Sequence, residues 1–180
     1  MITLTLGRIL ADYERLGNRL YGEQVSQNQH ALQCAACAAE DGASESLIVA
    51  ALLHDYGHLL EALEDTSRPA RDERHEMAGA ALLGELFGLA VTQPVALHVA
   101  AKRYLCAVEP GYLPALSPAS VHSLQLQGGP FTAEEASKFE RLEGFHDAVR
   151  LRRYDDLGKA VDVVTPGFDA YAPMMLRLLK

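Results

Sequence analysis

In the stretch Leu52-Leu53-His54-Asp55-Tyr56-Gly57-His58, a histidine and a carboxylate stand side by side at the end of an apolar run that begins at Leu47. Helical spacing puts His54 and His58 on one face, with Asp55 three residues before His58. A neutral imidazole and a carboxylate each hold divalent metals, and the carboxylate has a second oxygen free to bridge to another ion. Ionisable groups on the same turn as buried leucines need a partner, and a metal ion is one. Taken alone, the stretch also reads as the polar end of a core helix. Further candidates lie along the chain: His30, His75, His98 and an aspartate late in the sequence. One buried histidine is more often a satisfied core residue than a ligand. Four, each in an apolar helical pattern and one beside Asp, fit a dinuclear site built from side chains that project inward off facing helices.

The elements that must position these groups all read as helices. Leu6, Ile9, Leu10, Tyr13, Leu16 and Leu20 recur at helical spacing and predict a first helix over roughly 5–20. Ser26 followed by Gln29 resembles a capping box that opens a helix through His30 and stops near Gly42. The spacing predicts a metal-bearing helix over about 46–63, then a mixed-charge loop from Glu64 to Arg74. Asp72 is a candidate cap for a helix over about 74–87 with His75 in its first turn, and Thr92 with Pro94 is expected to start the helix carrying His98 and Lys102. Prolines break the segment from Glu109 to Pro118. A short helix follows from Ser117-Pro118 through Leu124, closed by Gly128-Gly129, and Thr132 with Glu135 forms a second capping box. Periodicity resumes across Val149, Leu151, Tyr154 and Leu157, and a last amphipathic helix ends at Leu179.

With 49% hydrophobic residues, only 7% aromatic and no Trp, the composition is that of packed helices rather than a sheet. The expectation is one all-α domain over residues 1–180. The net charge of -8 argues against nucleic acid or an anionic membrane as a general partner. No apolar run is long enough to span a bilayer, and the N-terminus lacks a signal-peptide pattern. The three cysteines make no disulfide framework, and Cys34 and Cys37 read as small core residues within a helix. A cytoplasmic protein is expected.

The order His30, His54-Asp55, Asp155 resembles the HD-domain superfamily, all-helical proteins whose His, His-Asp and distal Asp bind metal. His75 and His98 fit its dinuclear subset. Six stretches look most like the mixed-valent diiron phosphonate oxygenases: Tyr21-Gly22-Glu23, Ser26-Gln27, His30-Ala31-Leu32-Gln33, His54-Asp55-Tyr56-Gly57-His58, His98-Val99-Ala100-Ala101-Lys102 and Leu151-Arg152-Arg153-Tyr154-Asp155-Asp156. The resemblance runs from about Tyr21 to Lys159. Inositol oxygenase is similar in its six-ligand pattern and in Asp155 followed by Lys159, and matches less well elsewhere.

What the resemblance implies is a single HD-domain helical bundle with a dinuclear metal site in its core. One iron would have His30, His54, Asp55 and Asp155, and the other Asp55, His75 and His98, with Asp55 bridging. Asp156 is the alternative to Asp155. The cofactors would be an Fe(II)/Fe(III) pair with O2 as co-substrate. His58, Ser120 and Ser123 would face a small organophosphonate, and Tyr21 with Glu23 would form a gate in which Tyr21 occupies an iron position until substrate arrives. Independently of the family, Lys102 follows His98 by one turn and Arg152 precedes Asp155 by nearly one, so both should point into the pocket. At about 4 Å and an effective dielectric near 20, each contact with an anion is worth on the order of 4 kcal/mol before desolvation. His122 and His146 read as surface or helix-packing residues.

The expected activity is an O2-dependent oxygenase that cleaves the carbon–phosphorus bond of an α-hydroxyphosphonate to a carboxylate and phosphate. Its rivals are a metal-dependent HD-domain phosphohydrolase acting on a phosphoester or nucleotide, and a non-catalytic ligand-sensing HD module.

Overall fold

A computed structural model describes residues 4–20, 24–61 and 75–180. Among them every regular element is a helix, and no strand forms beyond two isolated bridges. The elements are α1 (Leu6–Leu16), α2 (Gln27–Glu40), α3 (Glu45–Leu53), α4 (Tyr56–Glu61), α5 (His75–Leu83), α6 (Leu89–Val108), α7 (Tyr112–Ala115), α8 (Pro118–Leu126), α9 (Ala133–Phe139), α10 (Phe145–Leu157) and α11 (Phe168–Arg177). No described helix is long and apolar enough to cross a membrane.

Most starts follow the local chemistry. Both capping boxes form: Ser26 with Gln29 opens α2, and Thr132 with Glu135 opens α9. Ser117 accepts from the Ser120 amide to start α8, with Pro118 at the first helical position. α3 is apolar on every side, with Leu47 through Leu53 all buried, because it packs among α2, α6, α10 and α11. The rest of the main core gathers Ile9, Tyr13, Tyr56, Leu83, Phe87, Val91, Leu151 and Met175 around it. A smaller cluster of Ala101, Phe139 and Ala148, with Tyr104, Phe131 and Phe145 against it, fixes α9 to α6 and α10.

Four boundaries depart from the spacing, one of them the end of α5, at Leu83 rather than near 87. α1 stops at Leu16 rather than near 20, since Gly17 approaches α2 closely and its carbonyl accepts the Asn28 amide. The helix expected over 46–63 is two helices, parted at His54 and Asp55. At that break the His54 ring takes the Ala51 carbonyl (2.9 Å) and the Tyr13 hydroxyl donates to the Leu52 carbonyl (3.1 Å), so side chains satisfy groups a longer helix would have used internally. α6 starts at Leu89, capped by Gly88 and ahead of Thr92, and carries Pro94 in its second turn. The proline forgoes one hydrogen bond, to the Ala90 carbonyl, and both His98 and Lys102 lie beyond it. The loop from Glu64 to Arg74 and the Asp72 cap lie outside the described residues, as does the predicted gate of Tyr21 and Glu23.

Candidate metal centre

Five elements deliver the candidate ligands to one place. His30 comes from the first turn of α2, His54 and Asp55 from the break between α3 and α4, His75 from the first residue of α5, His98 from mid-α6 and Asp155 from the last turn of α10. The Asp55 carboxylate is the hub. Its Oδ1 lies 3.5 Å from His54 Nε2, 3.7 Å from His75 Nε2 and 3.8 Å from His98 Nε2. Its Oδ2 lies 3.7 Å from His30 Nε2, and Asp155 Oδ1 lies 3.5 Å from the same nitrogen. These separations exceed hydrogen-bond length, and Asp55 Oδ2 is buried with no hydrogen-bond partner. They suit groups that share an ion between them.

The ring tautomers point the same way. His30 Nδ1 lies 2.8 Å from the Gly158 carbonyl, His54 Nδ1 2.9 Å from the Ala51 carbonyl and His98 Nδ1 2.7 Å from the Val95 carbonyl. A ring nitrogen facing a carbonyl at that distance must carry the proton, which leaves each Nε2 lone pair directed inward. The Nε2 atoms of His30 and His54 then face each other at 3.3 Å, a repulsive pairing of lone pairs unless a cation lies between them. The donor set therefore fits a metal ion on its own chemistry. Burial, and then the neighbouring His54, lower His98 to about 3, and burial lowers His30, so both rings are neutral donors at pH 7. Burial alone would raise the Asp155 carboxyl, yet Arg152 and Lys159 hold it well below the usual range.

Cys34 lies 3.7 and 3.8 Å from the two nitrogens of His30, close enough to be grouped with His30 and His54 as a possible donor. Near-equal distances to both nitrogens set the sulfur beside the ring rather than at its Nε2 apex. Burial pushes the thiol well above its ordinary value, so it stays protonated. Asp155, ionised and 3.5 Å from His30 Nε2, is the stronger candidate donor beside His30.

Bare backbone makes this convergence possible. A Cβ on Gly57 would meet the His75 carbonyl oxygen at 2.1 Å, so α4 and α5 can cross, and His75 can reach Asp55, only because residue 57 is glycine. Gly158 ends α10, gives its carbonyl to His30, and would strike Cys34 Sγ at 2.4 Å with any side chain.

Around the ligands lies a cationic shell. Lys102 Nζ donates to Ser123 Oγ (2.8 Å) and Lys159 Nζ donates to Ser120 Oγ (2.9 Å), two hydroxyls one turn apart on α8. Lys159 Nζ is also 3.5 Å from Asp155 Oδ1. Burial, reinforced by Arg152, lowers Lys102 to about 8. The Arg152 guanidinium donates to Asp155 Oδ2 through Nη1 (2.5 Å), to Asp156 through Nη2, and to the Tyr112 hydroxyl through Nε (3.0 Å). Tyr112 itself donates to Asp156. Thus Asp155 faces His30 within the candidate cluster, while Asp156 is engaged with Arg152 and Tyr112. His58 is half-buried and stacks on His75, ring centroids 4.9 Å apart. His122 and His146 are exposed. Arg103 donates to the Gly129 carbonyl and lies over the Phe131 ring rather than in solvent.

Sequence reasoning passed over Lys159 as an anion-facing group, although its place four residues after Asp155, just past the end of α10, was a usable signal. It also missed Tyr112 and the Gly158 carbonyl. Both act through contacts distant in sequence, for which local spacing gives no sign.

No family model matches the chain. The chain is 43% identical over 173 residues to a [1-hydroxy-2-(trimethylamino)ethyl]phosphonate dioxygenase (glycine-betaine-forming) of Leisingera caerulea, covering 93% of this chain and 86% of that protein. It is 46% identical over 157 residues to a hydroxymethylphosphonate dioxygenase of Gimesia maris, covering 86% and 78%. An uncharacterized protein of Acanthamoeba polyphaga mimivirus is 34% identical over 183 residues.

Proposed function

The chain belongs to the family of HD-domain phosphonate dioxygenases, and from that premise we propose that it is an iron-dependent oxygenase acting on a small α-hydroxyphosphonate. One O2 is consumed as the carbon–phosphorus bond breaks, giving a carboxylate and phosphate. The substrate supplies all four electrons, so no separate reductant is needed. The observation that carries this reading is the Asp55 carboxylate with four imidazole Nε2 atoms within 3.8 Å of its oxygens. In this reading His30, His54, Asp55 and Asp155 hold an Fe(III) ion, and Asp55, His75 and His98 hold an Fe(II) ion, a mixed N/O set suited to iron with exchangeable positions. Bound there, the pair supplies Lewis acidity towards substrate oxygens and the redox capacity to use O2.

The chain's own side chains choose the substrate. Lys102, held by the Ser123 hydroxyl, and Lys159, shared between the Ser120 hydroxyl and Asp155, present two ammonium groups to a phosphonate, with Ser120 and Ser123 as further hydrogen-bonding partners. Arg152 adds a third positive charge to the pocket while orienting Asp155, because its nitrogens are engaged by Asp155, Asp156 and Tyr112. His58, beside His75, is the residue placed to contact the substrate from the other flank. Tyr21 and Glu23 retain the gating role that the family resemblance implies. All of this belongs to one HD domain spanning the chain. The three free cysteines fit a reducing, cytoplasmic setting.

The test is aerobic product analysis on iron-loaded protein with a panel that includes hydroxymethylphosphonate and [1-hydroxy-2-(trimethylamino)ethyl]phosphonate. One phosphate and one carboxylate per O2 consumed is the expected result. Phosphate released without O2 uptake would make the protein a phosphohydrolase, and metal-loaded protein with no turnover of any panel member would favour a sensing module.

A further inference from the structure

We infer that α1 is a positioning element of the metal centre: Tyr13 and Asp12, neither of which reaches the site, grip the chain on both sides of His54-Asp55. The inference rests on the reading of that turn as a metal-ligand turn. On the near side the Tyr13 hydroxyl donates to the Leu52 carbonyl at 3.1 Å, two residues before His54. On the far side the Tyr56 hydroxyl donates to Asp12 Oδ2 at 2.9 Å, and Tyr56 directly follows Asp55. The Tyr13 ring is itself clamped, with its centroid 6.1 Å from that of Tyr56 and 4.7 Å from that of Phe168 on α11.

Asp12 is the feature that simple packing does not explain. It shares the buried face of α1 with Ile9, Tyr13 and Leu16 and is only 2% exposed. A carboxylate in such a place costs free energy that a leucine would not, unless it is fully bonded. Here it is: Arg8 Nε reaches both oxygens at 2.9 and 2.8 Å, and Arg15 Nη2 reaches Oδ1 at 3.2 Å. Two arginines from the same helix hold the carboxylate charged and aimed at one partner outside α1 among the described residues, the Tyr56 hydroxyl. That arrangement gives α1 one docking register on the ligand turn, where an apolar contact would allow several. The break in the helix at His54 and Asp55 is what makes such a grip necessary, because the backbone there has lost its continuous ladder of internal hydrogen bonds.

The experiment compares Tyr56→Phe and Tyr13→Phe, which keep the rings and so the packing, with Thr132→Ala, which removes the cap of the remote helix α9. Two quantities are measured: the rate of iron loss to excess chelator from loaded protein, and amide exchange in metal-free protein. Both tyrosine variants should lose iron about tenfold faster, the scale of one lost buried hydrogen bond. Their amides from His54 to Leu59 should exchange about tenfold faster in the metal-free protein. Neither change should occur in Thr132→Ala, nor in the amides around His98 in any variant. Unchanged iron loss and exchange in both tyrosine variants would overturn the inference, and so would equal acceleration in Thr132→Ala. Wild-type protein that takes up no iron would instead sink the reading of the site, leaving the exchange measurement to judge α1 alone.

Discussion

The carbonyl oxygen of His75 occupies the space that a side chain on Gly57 would need, 2.1 Å from the ideal Cβ position. Gly79 also comes close from the other side, its own Cβ position 2.9 Å from the Gly57 nitrogen, so α4 and α5 touch backbone to backbone. The distance between His75 and the hub carboxylate is therefore set by a residue with no functional group. Gly57→Ala should push α5 outward, cost about 1–3 kcal/mol of stability and empty the site held by His75 and His98. Iron analysis should fall from about two ions per chain towards one; two tightly held irons in this variant would show that α5 can slide without consequence.

The two halves of the centre should separate on mutation. Only Asp55 faces all four imidazoles, whereas His98 faces one side. Asp55→Ala is expected to lose both ions or hold one weakly, and His98→Ala to keep the ion at His30, His54 and Asp155. Metal content after gel filtration distinguishes them. Equal retention in the two variants would remove the bridging role.

Lys102 predicts a pH dependence. Its folded value of about 8 is below the ordinary 10.5, so between those values the unfolded chain binds more protons than the folded one. Its contribution to stability therefore rises with pH across that window. Its attraction for a phosphonate runs the other way, present below about pH 8 and lost above it. KM should climb as pH passes 8 in the wild type. In Lys102→Met it should be raised already at pH 7, roughly ten- to a hundred-fold, with no further climb. Superimposable profiles for the two proteins would take Lys102 out of the substrate site.

Removing metal should loosen the core. Ligands that bind only the folded chain stabilise it by about 2.7 kcal/mol at a hundred times Kd, which for a chain of this size corresponds to a Tm shift of roughly 5–10 °C. Chelation should lower Tm by that order, and iron should restore it. A melting curve indifferent to both treatments would argue against a resident ion.

The parts of the site legible in the sequence are those coded by local spacing. His54 and Asp55 are adjacent in the chain, Lys102 follows His98 by one turn and Asp155 follows Arg152 by nearly one, so helical geometry alone groups them. The capping boxes at Ser26 and Thr132 were readable for the same reason. What spacing could not give was the break at His54, because the groups that compensate it come from Tyr13, about forty residues earlier. Nor could it show that Arg152 is occupied, since Tyr112 reaches it from another helix. The start of α6 was misread because Pro94 was taken for a first-turn residue, while the helix accommodates it one turn further in.

The carbonyls of Ala51, Val95 and Gly158 have one more consequence. Three of the four histidines are oriented by main-chain oxygen, and main-chain oxygen is the same whatever side chain a codon specifies. The ring orientations are thus insulated from most point mutations, provided the helices keep their places. Substrate choice, in the proposed function, would rest by contrast on replaceable groups such as Ser120, Ser123 and His58. A lineage, or a laboratory library, can vary those positions to accept a different substituent on the α-carbon while leaving the imidazole lone pairs aimed where they were.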